Sequence, residues 1–197
     1  MADASPLLAN TDLSNRGACL FGAGFIVACD QASQLGLGSV TGLQNYVRHY
    51  RGGRDLTTKS RNAMVIDLFG LTESEVRQRF PAAYQWVLDR VKPERDHNNR
   101  ASGCENWWIF GETNPKMRRQ LRELPRYVAT PATSKHRFFC FINAEILPDD
   151  SLCIVTSDDA WILGTLSSRI HVIWTLSSGG RLGVGGRPSL QQFLVLQ

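Results

Sequence analysis

The sequence predicts an α+β fold: a mixed, mostly antiparallel sheet with packed helices, in a single domain. Three observations predict it. Short apolar runs bounded by turn residues alternate irregularly with capped helical periods. Two strand-like runs flank one turn around Pro131–Ser134, which is the pattern of an antiparallel hairpin. The chain has 197 residues and 22.0 kDa, enough to bury one core or one core plus a small lobe.

The elements follow in order. Residues 1–16 are polar and irregular. Ala18–Ala28 (ACLFGAGFIVA) reads as a strand in which Gly22 and Gly24 mark a bulge or a close backbone approach. Asp30–Gly38 is a short turn or helix ending in glycines. Tyr46–Leu56 starts extended and turns at Gly52-Gly53. Ala63–Phe69 is a buried strand. Thr72 with Glu75 three residues on forms a capping box for a helix. Pro81 restarts a second helix to about Val91, with Tyr84, Val87, Leu88 and Val91 on its apolar face. Asn106–Phe110 reads as a strand. Asn114-Pro115 opens a basic helix that Pro125 stops. Arg126–Thr130, Arg137–Ile142 and Leu152–Thr156 read as strands. Ser157 or Asp158 caps a long helix to about Ser177, closed by Gly179-Gly180. Trp161, Ile162, Leu166, Ile170, Ile173 and Trp174 make it a core helix. Trp107, Trp108, Trp161 and Trp174 read as core side chains rather than base-stacking ones. There is no internal repeat and no low-complexity segment.

Charge is unevenly placed. The net charge is +4, yet Arg90–Arg137 alone holds eleven Lys/Arg against five Asp/Glu, so the rest of the chain sums to −2. A positive middle on a slightly acidic body points to a one-sided basic surface. Glu105–Phe141 interleaves those cations with tryptophan, tyrosine and asparagine. That mixture suits nucleic acid: cations neutralise phosphates, while Arg, Asn and aromatics reach base edges or wedge against them. The plainer alternative is a solvated charged face.

The chemistry of catalysis is sparse. There is no G-x-x-x-x-G-K-[ST] phosphate loop, no G-x-S-x-G elbow and no Asn-Pro-Pro-Tyr run. Gly22-Ala23-Gly24 and the glycines of Gly179–Gly186 do not sit in a dinucleotide-binding unit. Asp158-Asp159 reads as a helix cap before a metal site, and Asp67 as a semi-buried acid without a partner acid. His171 reads as structural. Cys19, Cys29, Cys104, Cys140 and Cys153 are odd in number and lack C-x-x-C spacing, which argues against a disulfide framework or a zinc site. Cys19, Cys140 and Cys153 lie in apolar runs, as buried thiols of a reducing cytoplasm. No run is long enough to span a membrane, and the N-terminus lacks a signal-peptide pattern. The expectation is a cytoplasmic protein without a membrane partner.

The blocks LLANTDLSNRGACLFGAGFIV, YRGGRDL, MVIDLFGLT, VKPERDHNNR, NWWIFGE, LPRYVATPATSKHRFF and DDAWILGTLSSRIHVIW resemble the target recognition region of MmeI-like enzymes, large single-chain type II restriction–modification proteins. The resemblance runs from about Pro6 to Gly185. It implies a double-stranded DNA target recognition domain over 17–185, after an irregular segment 1–16, serving an N6-adenine DNA methyltransferase. It implies no catalytic residue, no metal and no cofactor here; S-adenosylmethionine belongs to a methyltransferase domain that would act in cis or in trans. Relatives continue differently after the glycine turn. Gly186–Gln197, read one nucleotide on with permissible codons, can spell a family-like continuation, so the expectation for 186–197 is a frameshifted or truncated end, which sequencing of the locus tests.

The recognition role needs phosphate contacts for register and a few side chains for base edges. The candidates are Arg48, Arg51, Arg54, Lys59, Arg61, Arg95, Asn98, Asn99, Arg100, Lys116, Arg118, Arg119, Ser134, Lys135, His136 and Arg137. The Ser134–Arg137 turn and the 95–100 run look most exposed. An ion-pair cluster of Glu94, Arg95 and Asp96 at a helix end is an equal reading of that run, and one of Arg118 and Arg119 simply faces solvent. Two other functions remain: a protein-interaction module that docks on a methyltransferase partner, and a small metal- or cofactor-dependent nuclease or methyltransferase using Asp67 or Asp158-Asp159.

Overall fold

The computed structural model describes residues 12–97, 105–134, 136–178, 180–182 and 187–189. It has the expected α+β character, with helices and antiparallel sheets. The chain divides into two compact units interleaved along the sequence. One comprises Met1–Gly17, Arg51–Ser60 and Asn114–Gln197, the other Ala18–Tyr50 and Arg61–Thr113.

The first unit is built on a sheet of four strands: β1 (Ser14–Arg16), β5 (Arg126–Pro131), β6 (Cys140–Asn143) and β8 (Leu152–Val155), in the order β1-β8-β5-β6. Every pairing in it is antiparallel, with Val128 opposite Phe141 on one side and Val155 on the other. Alternation along β5 sorts the two faces. Tyr127 and Ala129 join Ile142, Leu152 and Ile154 in one cluster, which Met117 and Leu121 of helix α6 (Pro115–Arg122) complete. Val128 joins Cys153, Val155 and Phe139 on the opposite face, beneath Leu166 of helix α7 (Ala160–Ser167). Short α2 (Gly53–Thr57), β7 (Leu147–Pro148), helix α8 (Arg169–Ser178) and the antiparallel pair β9 (Gly180–Leu182) and β10 (Arg187–Ser189) also belong to this unit. Of the expected atypical tail, residues 186 and 190–197 lie outside the described residues.

In the second unit β4 (Met64–Ile66) lies between β2 (Ile26–Val27) and β3 (Val47–Arg51), antiparallel to both. All three β4 residues are buried, as the short apolar run predicts. Helices α1 (Cys29–Gln34), α3 (Glu73–Arg79), α4 (Pro81–Arg90) and α5 (Lys92–Asp96) complete it. The capping box forms as the sequence predicts: Glu75 N–H donates to Thr72 Oγ1 at 3.3 Å and Thr72 N–H donates to Glu75 Oε2 at 2.7 Å. Pro81 restarts the helix, and Val87 and Val91 are fully buried beneath its apolar face.

Several sequence expectations are corrected: within the segment expected to be irregular, Ser14–Arg16 forms β1 of the sheet, and Asp159 rather than Ser157 or Asp158 starts helix α7, with no side-chain cap bond. Ala18–Ala28 is extended only at Ile26–Val27, preceded by a 3-10 turn at Ala23–Phe25. A Cβ on Gly24 would lie 2.9 Å from the Arg90 carbonyl, and Trp86 Nε1 donates to the Gly24 carbonyl at 3.0 Å. The close approach anticipated for the glycines bends the segment out of strand geometry. Asn106–Phe110 is a turn, because Trp107 and Phe110 bury together at a spacing of three while Trp108 Nε1 donates to the Leu71 carbonyl at 3.0 Å. The long C-terminal core helix is two helices broken at Ser168, whose backbone is extended and whose Oγ accepts from His171 N–H. Leu166 is buried, but Trp161 is 69%, Ile170 83% and Ile173 52% exposed.

Candidate nucleic-acid interface

The hairpin turn between β5 and β6 is held from inside. The Arg137 guanidinium donates to the Pro131 carbonyl at 2.7 Å, closing the turn across its base. The Ser134 hydroxyl donates to the His136 carbonyl, so the buried serine ties the tip. Burial pushes the Arg137 guanidinium below its ordinary pKa, while the neighbouring Cys153 opposes the shift. An arginine so placed stays charged at neutral pH and acts as a fixed donor to backbone. His136 is exposed on the turn, and Lys135 lies outside the described residues. Thus the four-residue block the sequence singles out divides: Ser134 and Arg137 shape the turn, and His136 is presented by it.

A second segment approaches the base of this turn. β3 ends at Arg51 and the chain reverses through Gly52-Gly53 into α2. Gly52 N–H donates to Asp55 Oδ2 at 2.9 Å, capping the helix, and Gly53 N–H donates to Ser151 Oγ at 2.8 Å. A Cβ on Gly52 would sit 3.2 Å from that same oxygen, and one on Gly53 would touch Pro131 Cβ at 3.4 Å. Only Gly52 is tight there, and a residue at 53 would make ordinary contact as α2 packs at the foot of the hairpin. Arg54 and Lys59 are exposed, and Arg51 is half-buried.

α6 contributes a row of cations. Asn114 Oδ1 accepts from Met117 N–H at 3.4 Å and its Nδ2 donates to the Arg16 carbonyl at 2.7 Å, fixing the helix start. Met117, Arg118 and Leu121 face inward; Lys116, Arg119 and Arg122 face outward at a spacing of three. The expectation that one of Arg118 and Arg119 faces solvent fits, and it is Arg119. Lys116 is ion-paired with Asp12. Sequence reasoning passed over Arg122, although its spacing from Arg119 is the signal that places both on one face. Arg126 is also exposed, with its guanidinium over the Phe141 ring at 3.8 Å and donating to the Asp158 carbonyl.

The remaining candidates lie in the other unit. Arg95 is 3% exposed, and its Nη2 donates to the carbonyls of Leu20 at 2.8 Å and Ile109 at 3.3 Å. It is an internal tie rather than an outward cation, and at the same helix end Lys92 pairs with Asp96 at 3.0 Å. Arg48 lies 3.8 Å from Asp67, and Arg61 is exposed. Asn98, Asn99 and Arg100 lie outside the described residues.

Charge also divides unevenly between the units. The unit carrying the hairpin has fourteen Lys/Arg and nine Asp/Glu, a net +5, whereas the other has eight and nine, a net −1. The basic middle of the sequence thus straddles two bodies, and the surplus belongs to the one that contains the turn, α2 and α6.

No protein-family model matches this chain, and no curated protein does. Its fold does match a solved structure of the type IIL restriction–modification enzyme MmeI in complex with DNA, with a TM-score of 0.74 and 18% sequence identity. The match covers 98% of this chain and 24% of MmeI, so the chain spans about a quarter of that enzyme's length.

Proposed function

We propose that this chain is a double-stranded DNA target recognition module of restriction–modification type, non-catalytic by itself, which serves an adenine methyltransferase in cis or in trans. The observation that carries the proposal is the fold match over nearly the whole chain to a part of an enzyme solved with DNA. The net charge of +5 on the unit that bears the hairpin turn supports it from physical chemistry. Arg54, Lys59, Arg119 and Arg122 are exposed cations suited to phosphates, and His136 on its tied turn is suited to a base edge. Methylation of a duplex adenine requires the base to leave the stack, so a module that grips the flanking duplex supplies register while the methyltransferase supplies the pocket and S-adenosylmethionine.

Titration of a mixed-sequence duplex at about 50 and 200 mM salt tests this, since each phosphate contact contributes about 0.9 to the slope of log K against log salt. A slope of about −3 to −5 is expected for a surface with this few outward cations. Absence of salt-sensitive binding overturns the proposal. Exposed Trp161, Ile170 and Ile173 favour a second reading, a protein-docking module. Salt-insensitive binding to a methyltransferase domain, without DNA affinity, would establish that reading instead.

A further inference from the structure

We infer that Ser151 is a positioning residue that locks the Arg54-bearing helix α2 to the foot of the β5–β6 hairpin, so that Arg54 and the turn residue His136 meet DNA as one rigid surface. The inference rests on the DNA reading above and identifies what organises that site.

The turn Asp149–Ser151 gathers three segments that are far apart in sequence. Asp149 N–H donates to the Arg51 carbonyl at 2.8 Å, and Arg16 donates twice to the Asp150 carbonyl, at 3.1 and 3.3 Å. A Cβ on Gly17 would fall 2.1 Å from the Asp149 carbonyl oxygen, so only glycine fits there. Within this hub Ser151 binds both DNA-facing segments. Its Oγ accepts from Gly53 N–H at 2.8 Å, at the first turn of α2. Its carbonyl accepts from Ala132 N–H at 2.8 Å, where the hairpin turn leaves β5. Its own N–H donates to Asp149 Oδ1 at 2.8 Å, which orients the residue.

The physical need for such a tether is clear. α2 has five residues, and an isolated helix of that length does not persist in water. The placement of Arg54 therefore depends on what holds α2: Ser151 at its first turn, and Leu56 packed on the sheet cluster farther along. Ser151 is exposed. Its hydroxyl therefore fills no core space, and removing it leaves no buried cavity.

The experiment has two arms. Amide hydrogen exchange on the intact chain compares wild type with Ser151→Ala. The Gly53 amide should exchange faster in the variant, whereas the Ala132 amide, bonded to the backbone of residue 151, should keep its protection. Ser151→Thr retains the hydroxyl and should restore Gly53 protection. Binding to a mixed-sequence duplex then runs as a double-mutant cycle with Arg54→Gln. Ser151→Ala should weaken binding roughly 2- to 10-fold, the range of one hydrogen bond. In the Arg54→Gln background that loss should fall below about 2-fold, because the serine acts through the arginine. Strictly additive losses, or an unchanged Gly53 amide, overturn the inference while the DNA reading stands. A wild-type chain that binds no duplex overturns the DNA reading, and the inference with it.

Discussion

Arginine appears in this chain in two physical roles that its sequence context does not separate. Arg95 and Arg137 direct their guanidiniums to backbone carbonyls, while Arg54, Arg119 and Arg122 extend to solvent. Replacing Arg95 with Met strands the carbonyls of Leu20 and Ile109 and should cost about 1–3 kcal/mol. Urea denaturation measures it, and an undiminished midpoint joined to a lower DNA salt slope would place Arg95 on the surface instead. Glu75 gives a pH-dependent counterpart. The Thr72 backbone N–H, and then its hydroxyl, hold the Glu75 carboxyl below its ordinary value of 4.5. A depressed folded-state pKa stabilises above the unfolded value and is lost as pH falls through the folded one. Stability should therefore decline from about pH 4.5 downward in part through this group, and Glu75→Gln should flatten that part of an acid titration. Cysteine reactivity separates in the same way. Burial pushes the Cys153 thiol up and leaves it inaccessible, whereas Cys29 is exposed, so alkylation near pH 8 should modify Cys29 well before Cys153.

Helices α7 and α8 show how an element can follow its apolar pattern and still face outward. Sustained hydrophobicity from Trp161 to Trp174 predicts burial on all sides. The break at Ser168 redirects the chain, and the sheet below α7 accommodates Leu166 together with half-buried Ile162 and Leu163. Trp161, Ile170 and Ile173 remain outside because one sheet face can cover one stripe of a helix pair. Leu166→Ala should cost about 2–4 kcal/mol by opening a cavity beneath the helix, while Trp161→Ala should change stability by less than about 0.5 kcal/mol. Thermal melts of the two variants check the contrast. A large loss for Trp161→Ala would mean that the residue is covered in the folded protein.

Across the whole molecule, the DNA binding proposed above would depend on the distribution of charge between the units. Single replacements of Arg54, Lys59, Arg119 or Arg122 by Gln should each lower the salt slope by about 1 wherever the side chain meets a phosphate. Arg77→Gln, on an exposed helix of the unit with net −1, should leave the slope unchanged. Equal effects from both units would show that the surplus is not the determinant.

The sequence alone determined the features that depend on neighbours along the chain. The capping box at Thr72, the Pro81 helix restart, the Asn114 cap and the buried β4 follow from local hydrogen bonding and short apolar runs, and all are present. The α+β class follows from them. The tertiary structure decided whatever depends on which surfaces meet. Gly24 against the end of α4 turned an apparent strand into a turn. Sheet alternation placed Met117 and Leu121 beneath α6, and so turned Arg119 and Arg122 outward. Residues 149–151, which read locally only as a turn, became the hub that joins Arg16, Arg51 and the foot of the hairpin. Local propensity acts within a few residues, whereas burial and the direction of a cation are set by contacts between segments separated along the chain, up to the 134 residues between Arg16 and Asp150, which a linear pattern does not encode.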